Sequence, residues 1–119
     1  HPSVNIMSNV IMKENIILHE GSYIGYKTEL YDGAIIDGAY LAHHNVIREC
    51  STILPGAITG GNVTLGKCSK IYLGAIIANK IKIGENTIIG AGSLIFRNVG
   101  KKQTVVQKPS TIVISDNID

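Results

Sequence analysis

The stretch Leu41-Ala42-His43-His44-Asn45-Val46-Ile47-Arg48-Glu49-Cys50-Ser51-Thr52-Ile53 opens a repeat that is read in sixes. Steps of six from Leu41 land on Leu41, Ile47, Ile53, Thr59, Leu65, Ile71, Ile77, Ile83, Ile89 and Ile95, so nine of ten positions are aliphatic. Two residues before each stands, in most cases, a small or β-branched residue, from Ala39, Asn45 and Ser51 to Thr87 and Ser93. Neither a helical period nor simple alternation produces this pattern. Self-similarity at a fixed period marks a solenoid.

A longer period says how many hexads close a turn. Gly38, Gly56, Gly74 and Gly92 are eighteen apart, as are Ala39, Ala57, Ala75 and Ser93, so one coil is three hexads. On a strand, residues two apart share a face, so the small and the aliphatic residue of each hexad point inward and the residue between them points out. The remaining three make a corner, and a glycine recurring at one corner fits a backbone position with positive φ. The expected fold is all-β: a three-sided prism of short parallel strands.

The same repeat runs through Ile6, Met12, Leu18, Ile24, Leu30 and Ile36 in another phase. From Ile36 to Leu41 the step is five, so one residue has been lost between Asp37 and Tyr40. Residues 1–99 form the repeat domain on this reading, and 100–119 are its C-terminal cap and tail. Thr104 to Ser115, interrupted by Lys108-Pro109-Ser110, is expected to cover the last coil, because the end of a solenoid otherwise offers open strand edges. Asp116 to Asp119 is expected to fray.

The 119 residues make one domain, with 13 glycines and no tryptophan, a composition suited to stacked aliphatics. Eleven basic and nine acidic residues give a net charge of +2 without a basic run, so nucleic acid is not the expected partner. No apolar run approaches a membrane span and no leader pattern opens the chain, so the cytoplasm is the expected compartment. Cys50 and Cys68 are eighteen apart and stack at one corner. They are expected as free thiols, although a bridge between neighbouring coils is geometrically conceivable.

The outward positions sort by face. Tyr40, Ile58, Ile76 and Leu94 form an apolar column, whereas Val46, Thr64 and Lys82, and Thr52, Lys70 and Ile88, are mixed. An apolar face is expected to be buried in an oligomer, and a prism that uses one face and one edge closes as a homotrimer. The corner after this face carries His43 and His44, followed one coil at a time by Gly61 and Asn62, Asn79 and Lys80, and Arg97 and Asn98. Histidine beside a subunit groove is either a general base or a solvated surface residue. Two neighbouring histidines do not provide the spaced ligands of a zinc site, so no metal is expected.

The hexads, together with Ala42-His43-His44-Asn45-Val46-Ile47, Pro55-Gly56-Ala57, Gly60-Gly61-Asn62-Val63 and Ile88-Ile89-Gly90-Ala91-Gly92-Ser93, resemble the left-handed parallel β-helix acyltransferases. Within that family the chain is similar to the branch of sialic acid O-acetyltransferases and N-acetyltransferases of nucleotide-linked amino sugars, and His1-Pro2-Ser3 looks like the point where the β-helix of that branch begins. The resemblance implies an acetyl-CoA-dependent transfer to a sugar amine or hydroxyl by direct attack. It makes His43 the base that takes the acceptor proton, His44 an assisting residue, and Gly61 a backbone donor facing the thioester oxygen. Gly90 and Ala91 become backbone contacts to the pantetheine arm. Lys101 and Lys102, near the end of the groove, are expected to meet the phosphates of coenzyme A. The small sugar-binding domain that precedes the β-helix in relatives is expected to be absent here. Three positions depart from the branch: His44 stands where several relatives carry an acidic residue that orients the base, Thr52 where some carry a histidine near the acetyl group, and Val105-Val106-Gln107-Lys108-Pro109 where Val-Gly-x-Pro is usual. A trimeric β-helix scaffold without catalysis is the alternative reading.

Overall fold

In the computed structural model, residues 3–107 are described. The expectations for His1-Pro2, for the Lys108-Pro109-Ser110 interruption and for the tail lie outside them. The described chain is all-β, a parallel solenoid whose short strands line up in three sheets of six, five and six strands. The first face holds Tyr40–Leu41, Ile58–Thr59, Ile76–Ile77 and Leu94–Ile95. The second holds Val46–Ile47, Thr64–Leu65 and Lys82–Ile83, and the third Thr52–Ile53, Lys70–Ile71 and Ile88–Ile89. Every pairing is parallel, and the register Ile58↔Ile76, Thr64↔Lys82 and Lys70↔Ile88 is that of the repeat. No helix of the described chain is long and apolar enough to cross a membrane.

The interior follows the hexads. Leu41, Ile47, Ile53, Leu65, Ile71 and Ile89 are fully buried, and so are the small partners Ser51, Ala57, Val63, Ser69, Ala75 and Thr87. Each large aliphatic so enclosed contributes about 1.5–3 kcal/mol relative to exposure, and the small partner makes room for it. Gly38, Gly56, Gly74 and Gly92 have φ of +61°, +77°, +67° and +69°, as their recurrence requires. At the first coil, which has a neighbour on one side only among the described residues, Ile6 and Met12 face inward by register yet stay exposed.

The lost residue is repaired by a side chain. Ile17 pairs with Ile35, eighteen on, but Tyr23 pairs with Tyr40, seventeen on, so the short corner is Asp37-Gly38-Ala39. There the Ser22 hydroxyl donates to the Ile36 carbonyl at 3.2 Å and accepts from the Gly38 N–H at 2.9 Å. The later coils therefore regain register immediately before His43.

A second irregularity lies at the other end. Thr104–Val105 joins the third face as a parallel strand beside Ile88–Ile89. Its partners are sixteen residues apart, as are Ile83 and Val99, so the corner Phe96-Arg97-Asn98 has lost two residues. The side chain of Asn98 fills the gap by accepting the Lys82 N–H on Oδ1 at 2.8 Å.

Candidate active site

The edge between the first and second faces carries the two histidines. It is a ladder of tight corners, each tied to its neighbour by one backbone bond. The N–H of His44 donates to the Tyr26 carbonyl at 2.8 Å, that of Asn62 to the His43 carbonyl at 2.9 Å, and that of Lys80 to the Gly61 carbonyl at 2.8 Å. His44, Asn62 and Lys80 take left-handed φ of 56–62° to do so. His43, Gly61 and Asn79 are thereby stacked in one column, one turn apart.

A buried amide fixes the first corner to the second. The Asn45 side chain donates to the Ala42 carbonyl at 2.8 Å and to Thr59 Oγ1 at 3.0 Å, and its Oδ1 accepts the Val63 N–H at 2.8 Å. This explains why Thr59 alone breaks the aliphatic series. The polar pair is satisfied internally and locks the turn bearing His43 to the turn bearing Gly61.

Gly61 is glycine for space and not for φ. A Cβ placed there would stand 2.5 Å from Cε1 and 2.6 Å from Nε2 of His43, because the imidazole closes on the Gly61 backbone. On the other side, a Cβ at Gly60 would collide with Asn79 Oδ1. The double glycine thus lets a ring and an amide close on the same peptide. Asn79 Oδ1 accepts the Gly61 N–H at 2.9 Å, a contact that spacing alone did not reveal. His43 and His44 approach each other through Nδ1 at 3.0 Å with their rings nearly perpendicular, and His44 packs edge-to-face with Tyr26.

The remaining expected site residues are distributed over the other edges. Gly90 and Ala91 follow Ile88–Ile89 on the edge between the third and first faces. Lys101 and Lys102 stand on the edge between the second and third, where the Lys102 N–H meets the Glu85 carbonyl at 2.9 Å. The two-residue loss before Val99 sets them two positions further along than an 18-residue step, which would put Lys101 beside Ile83. Thr52 is on the third face, paired with Ile35 and Lys70, away from both histidines. The positive charges on the His43 edge are Lys27, Lys80 and Arg97, the last at an open depression of about 270 Å³ lined also by Leu94, Phe96 and Asn98. Among the described residues no group of His, Cys, Asp and Glu is arranged to hold a metal ion.

The apolar column is continuous and solvent-facing: Tyr40, Ile58, Ile76 and Leu94 keep 42–47% of their surface. Tyr23 extends it by stacking on Tyr40 at 4.5 Å. The edges that bound this face are the His43 edge on one side and the Gly90-Ala91 edge on the other.

No family model and no curated protein matches the sequence. Among solved structures, a mutant GDP-perosamine N-acetyltransferase from Caulobacter crescentus, in complex with CoA and GDP-perosamine, superposes with a TM-score of 0.88 at 25% identity, over 97% of this chain and 55% of that one. PerB from the same organism, also with CoA and GDP-perosamine, gives 0.86 at 27% identity over 87% of this chain and 51% of its own. The acetyltransferase domain of PglB from Neisseria gonorrhoeae, in complex with acetyl coenzyme A, gives 0.88 at 24% identity, over 95% and 56%, and speaks for the fold. The chain spans about half the length of these three structures.

Proposed function

We propose that this chain is the catalytic β-solenoid of an acetyl-CoA-dependent acetyltransferase that acts on the amine or hydroxyl of a nucleotide-linked sugar. The observation that carries the reading is the column in which the His43 imidazole lies on the Gly61 peptide. It supports reading His43 as a base beside a backbone donor, on an edge next to an exposed apolar face. The solved neighbours with CoA and GDP-perosamine supply the substrate classes.

His43 Nε2 takes the proton from the acceptor as its nitrogen or oxygen attacks the thioester carbonyl carbon. The Gly61 N–H faces the negative charge that builds on the thioester oxygen, where a positioned donor lowers the barrier. The C–S bond then breaks, and the imidazolium returns its proton to the departing thiolate. Acetylated sugar and free coenzyme A account for every atom. His44 assists through the His43 ring. For this to occur, the Asn79 amide must yield the Gly61 N–H.

The apolar face closes a homotrimer. Packing that face against a neighbour brings the His43 edge of one chain toward the Gly90-Ala91 edge of the next, so those glycine-alanine peptides flank the pantetheine arm from the adjacent subunit. Lys80 and Arg97 continue the His43 edge with positive charge suited to the phosphates of the coenzyme.

The test is acetyl transfer to a panel of nucleotide-linked amino sugars and sialic acid. His43→Ala should lower turnover by roughly 10²–10⁴-fold, the usual contribution of a general base, with coenzyme A binding retained. Wild-type turnover in that variant on the best acceptor would make His43 a surface histidine and refute the mechanism, and no transfer by the wild type to any of them would leave the chain a scaffold.

A further inference from the structure

Both cysteines of the chain stand at one corner, in consecutive coils. Cys50 ends the corner Arg48-Glu49-Cys50 between Val46–Ile47 and Thr52–Ile53, and Cys68 ends Gly66-Lys67-Cys68 between Thr64–Leu65 and Lys70–Ile71. The pairs Val46↔Thr64 and Thr52↔Lys70 hold the strands on either side in register. The corners themselves are fixed by backbone bonds of 2.9 Å, from the Cys50 N–H to the Asp32 carbonyl and from the Cys68 N–H to the Glu49 carbonyl. The two residues share a left-handed backbone, with φ of 64° and 53°, so their side chains leave the edge in the same direction. Strands about 4.8 Å apart put the two Cα atoms within the roughly 4.4–6.8 Å that a disulfide spans. The thiols already touch: a hydrogen bond joins them, and both are free and exposed.

The residue type sets this pair apart. The same left-handed position is held by Gly33 in the coil before and by Asn86 in the coil after, the residues that tolerate it best. Cysteine has no such preference, so its placement here twice in succession, and nowhere else in the chain, is not explained by the backbone.

We propose that Cys50 and Cys68 are a reversible redox pair, oxidised by a low-molecular-weight disulfide to an intramolecular bridge that clamps the coil of His43 to the coil of Gly61. The chemistry is thiol–disulfide exchange. One cysteine thiolate attacks a sulfur of glutathione disulfide and expels a glutathione thiolate. The second cysteine thiolate then attacks the protein sulfur of the mixed disulfide and expels the other. Two cysteine thiols are oxidised, one external disulfide is reduced to two thiols, and the two cysteine protons pass to the expelled thiolates. Exposure serves both directions, because a reductant reaches the bridge as readily as an oxidant reaches the thiols. The corner lies opposite the apolar first face, so the pair stays open to solvent when that face is covered. Inside the prism Asn45 links the same two coils, and the bridge links them from the outer edge. Nothing in this chemistry depends on acetyl transfer.

The experiment equilibrates the reduced full chain with mixtures of glutathione and glutathione disulfide, quenches with acid, and reads intact mass and non-reducing peptide maps. The wild type should lose two hydrogens per chain, about 2 Da, with the Cys50 and Cys68 peptides joined and no cross-linked dimer. Excess glutathione should restore both thiols. Cys50→Asn and Cys68→Asn, which suit the left-handed backbone, should stop at the mixed disulfide with glutathione. That species should be scarcer in the wild type by about tenfold or more, because the neighbouring thiol resolves it. The bridged chain should unfold roughly 10 °C above the reduced one, since the bridge closes a loop in the unfolded chain. A wild type that keeps both thiols at the highest disulfide ratio, carries two glutathiones or cross-links between chains overturns the redox pair. A bridged chain with an unchanged or lower unfolding midpoint overturns the clamp.

Discussion

The backbone N–H of Gly61 donates to Oδ1 of Asn79 at 2.9 Å, so the donor assigned to the thioester oxygen is already engaged across one turn of the solenoid. Any ligand that uses it competes with an amide. A neutral hydrogen bond of this kind has a net value of about 0.5–1.5 kcal/mol. Asn79→Ala should therefore raise kcat/KM for acetyl-CoA by roughly 2- to 10-fold. A fall of similar size would mean that Asn79 holds the peptide in its working orientation and does not compete for it.

The contact between His43 and Gly61 can be isolated by a double-mutant cycle. Gly61 lacks a positive φ, so alanine is acceptable to its backbone, and the obstacle is the imidazole above it. Gly61→Ala should displace the ring and reduce turnover by about 10²-fold, comparable to other losses from misplacing a catalytic group. Its effect on stability should vanish in a His43→Ala background. Equal destabilisation in both backgrounds, measured by urea unfolding, would place the strain in the backbone instead.

Asn45 makes the buried link between the His43 corner and the next. Asn45→Ala leaves the Val63 N–H and Thr59 Oγ1 without their partner in the interior, at a cost of about 1–3 kcal/mol for each such group. Adding Thr59→Val should recover part of the loss, because both polar atoms of that contact are then gone. Additive losses in the double variant would show that the two side chains do not act as a pair.

The hexads made the fold legible because in a solenoid sequence spacing is translated directly into spatial stacking. Leu41, Ile47 and Ile53 follow that rule, and so does the column of His43, Gly61 and Asn79. What the spacing could not show is where corner side chains turn. The Asn79 amide lies on Gly61, and that depends on two glycines lacking Cβ atoms. The level of Lys101 and Lys102 was not legible either, because regular stacking would set Lys101 beside Ile83, whereas the shortened Phe96-Arg97-Asn98 corner moves the pair to the Glu85 edge. Thr59 read as an exception to the core until Asn45 supplied its partner.

Cys50 and Cys68 are both free and exposed at one corner of neighbouring coils. A hydrogen bond with Cys50, then desolvation and the repulsion between two thiolates, hold the Cys68 thiol above its ordinary pKa. A raised pKa means less thiolate at any given pH, hence slower alkylation. The rate of Cys68 carbamidomethylation, followed by peptide mass spectrometry, should rise at higher pH than for an unperturbed thiol. Cys50→Ala should move that profile down. An unchanged profile in the variant would remove Cys50 as the cause.

Ile76 lies in the middle of the apolar column, with Ile58 on one side and Leu94 on the other, and with 42% of its surface exposed. Its outward direction makes Ile76→Glu harmless to the interior, where Ile77 is the buried neighbour. In a trimer the same change sets three carboxylates into an apolar contact, where each uncompensated charge costs several kcal/mol. Light scattering at micromolar concentration should show a trimer for the wild type and a monomer for the variant, with circular dichroism unchanged. A wild-type monomer would refute the interface. The variant also tests the shared groove: a folded monomer separates the His43 edge from a neighbour's Gly90-Ala91 edge, so coenzyme A affinity should fall with the trimer. Undiminished affinity in the monomer would place the whole coenzyme site on the His43 edge, with Lys80 and Arg97, and take Gly90 and Ala91 out of it.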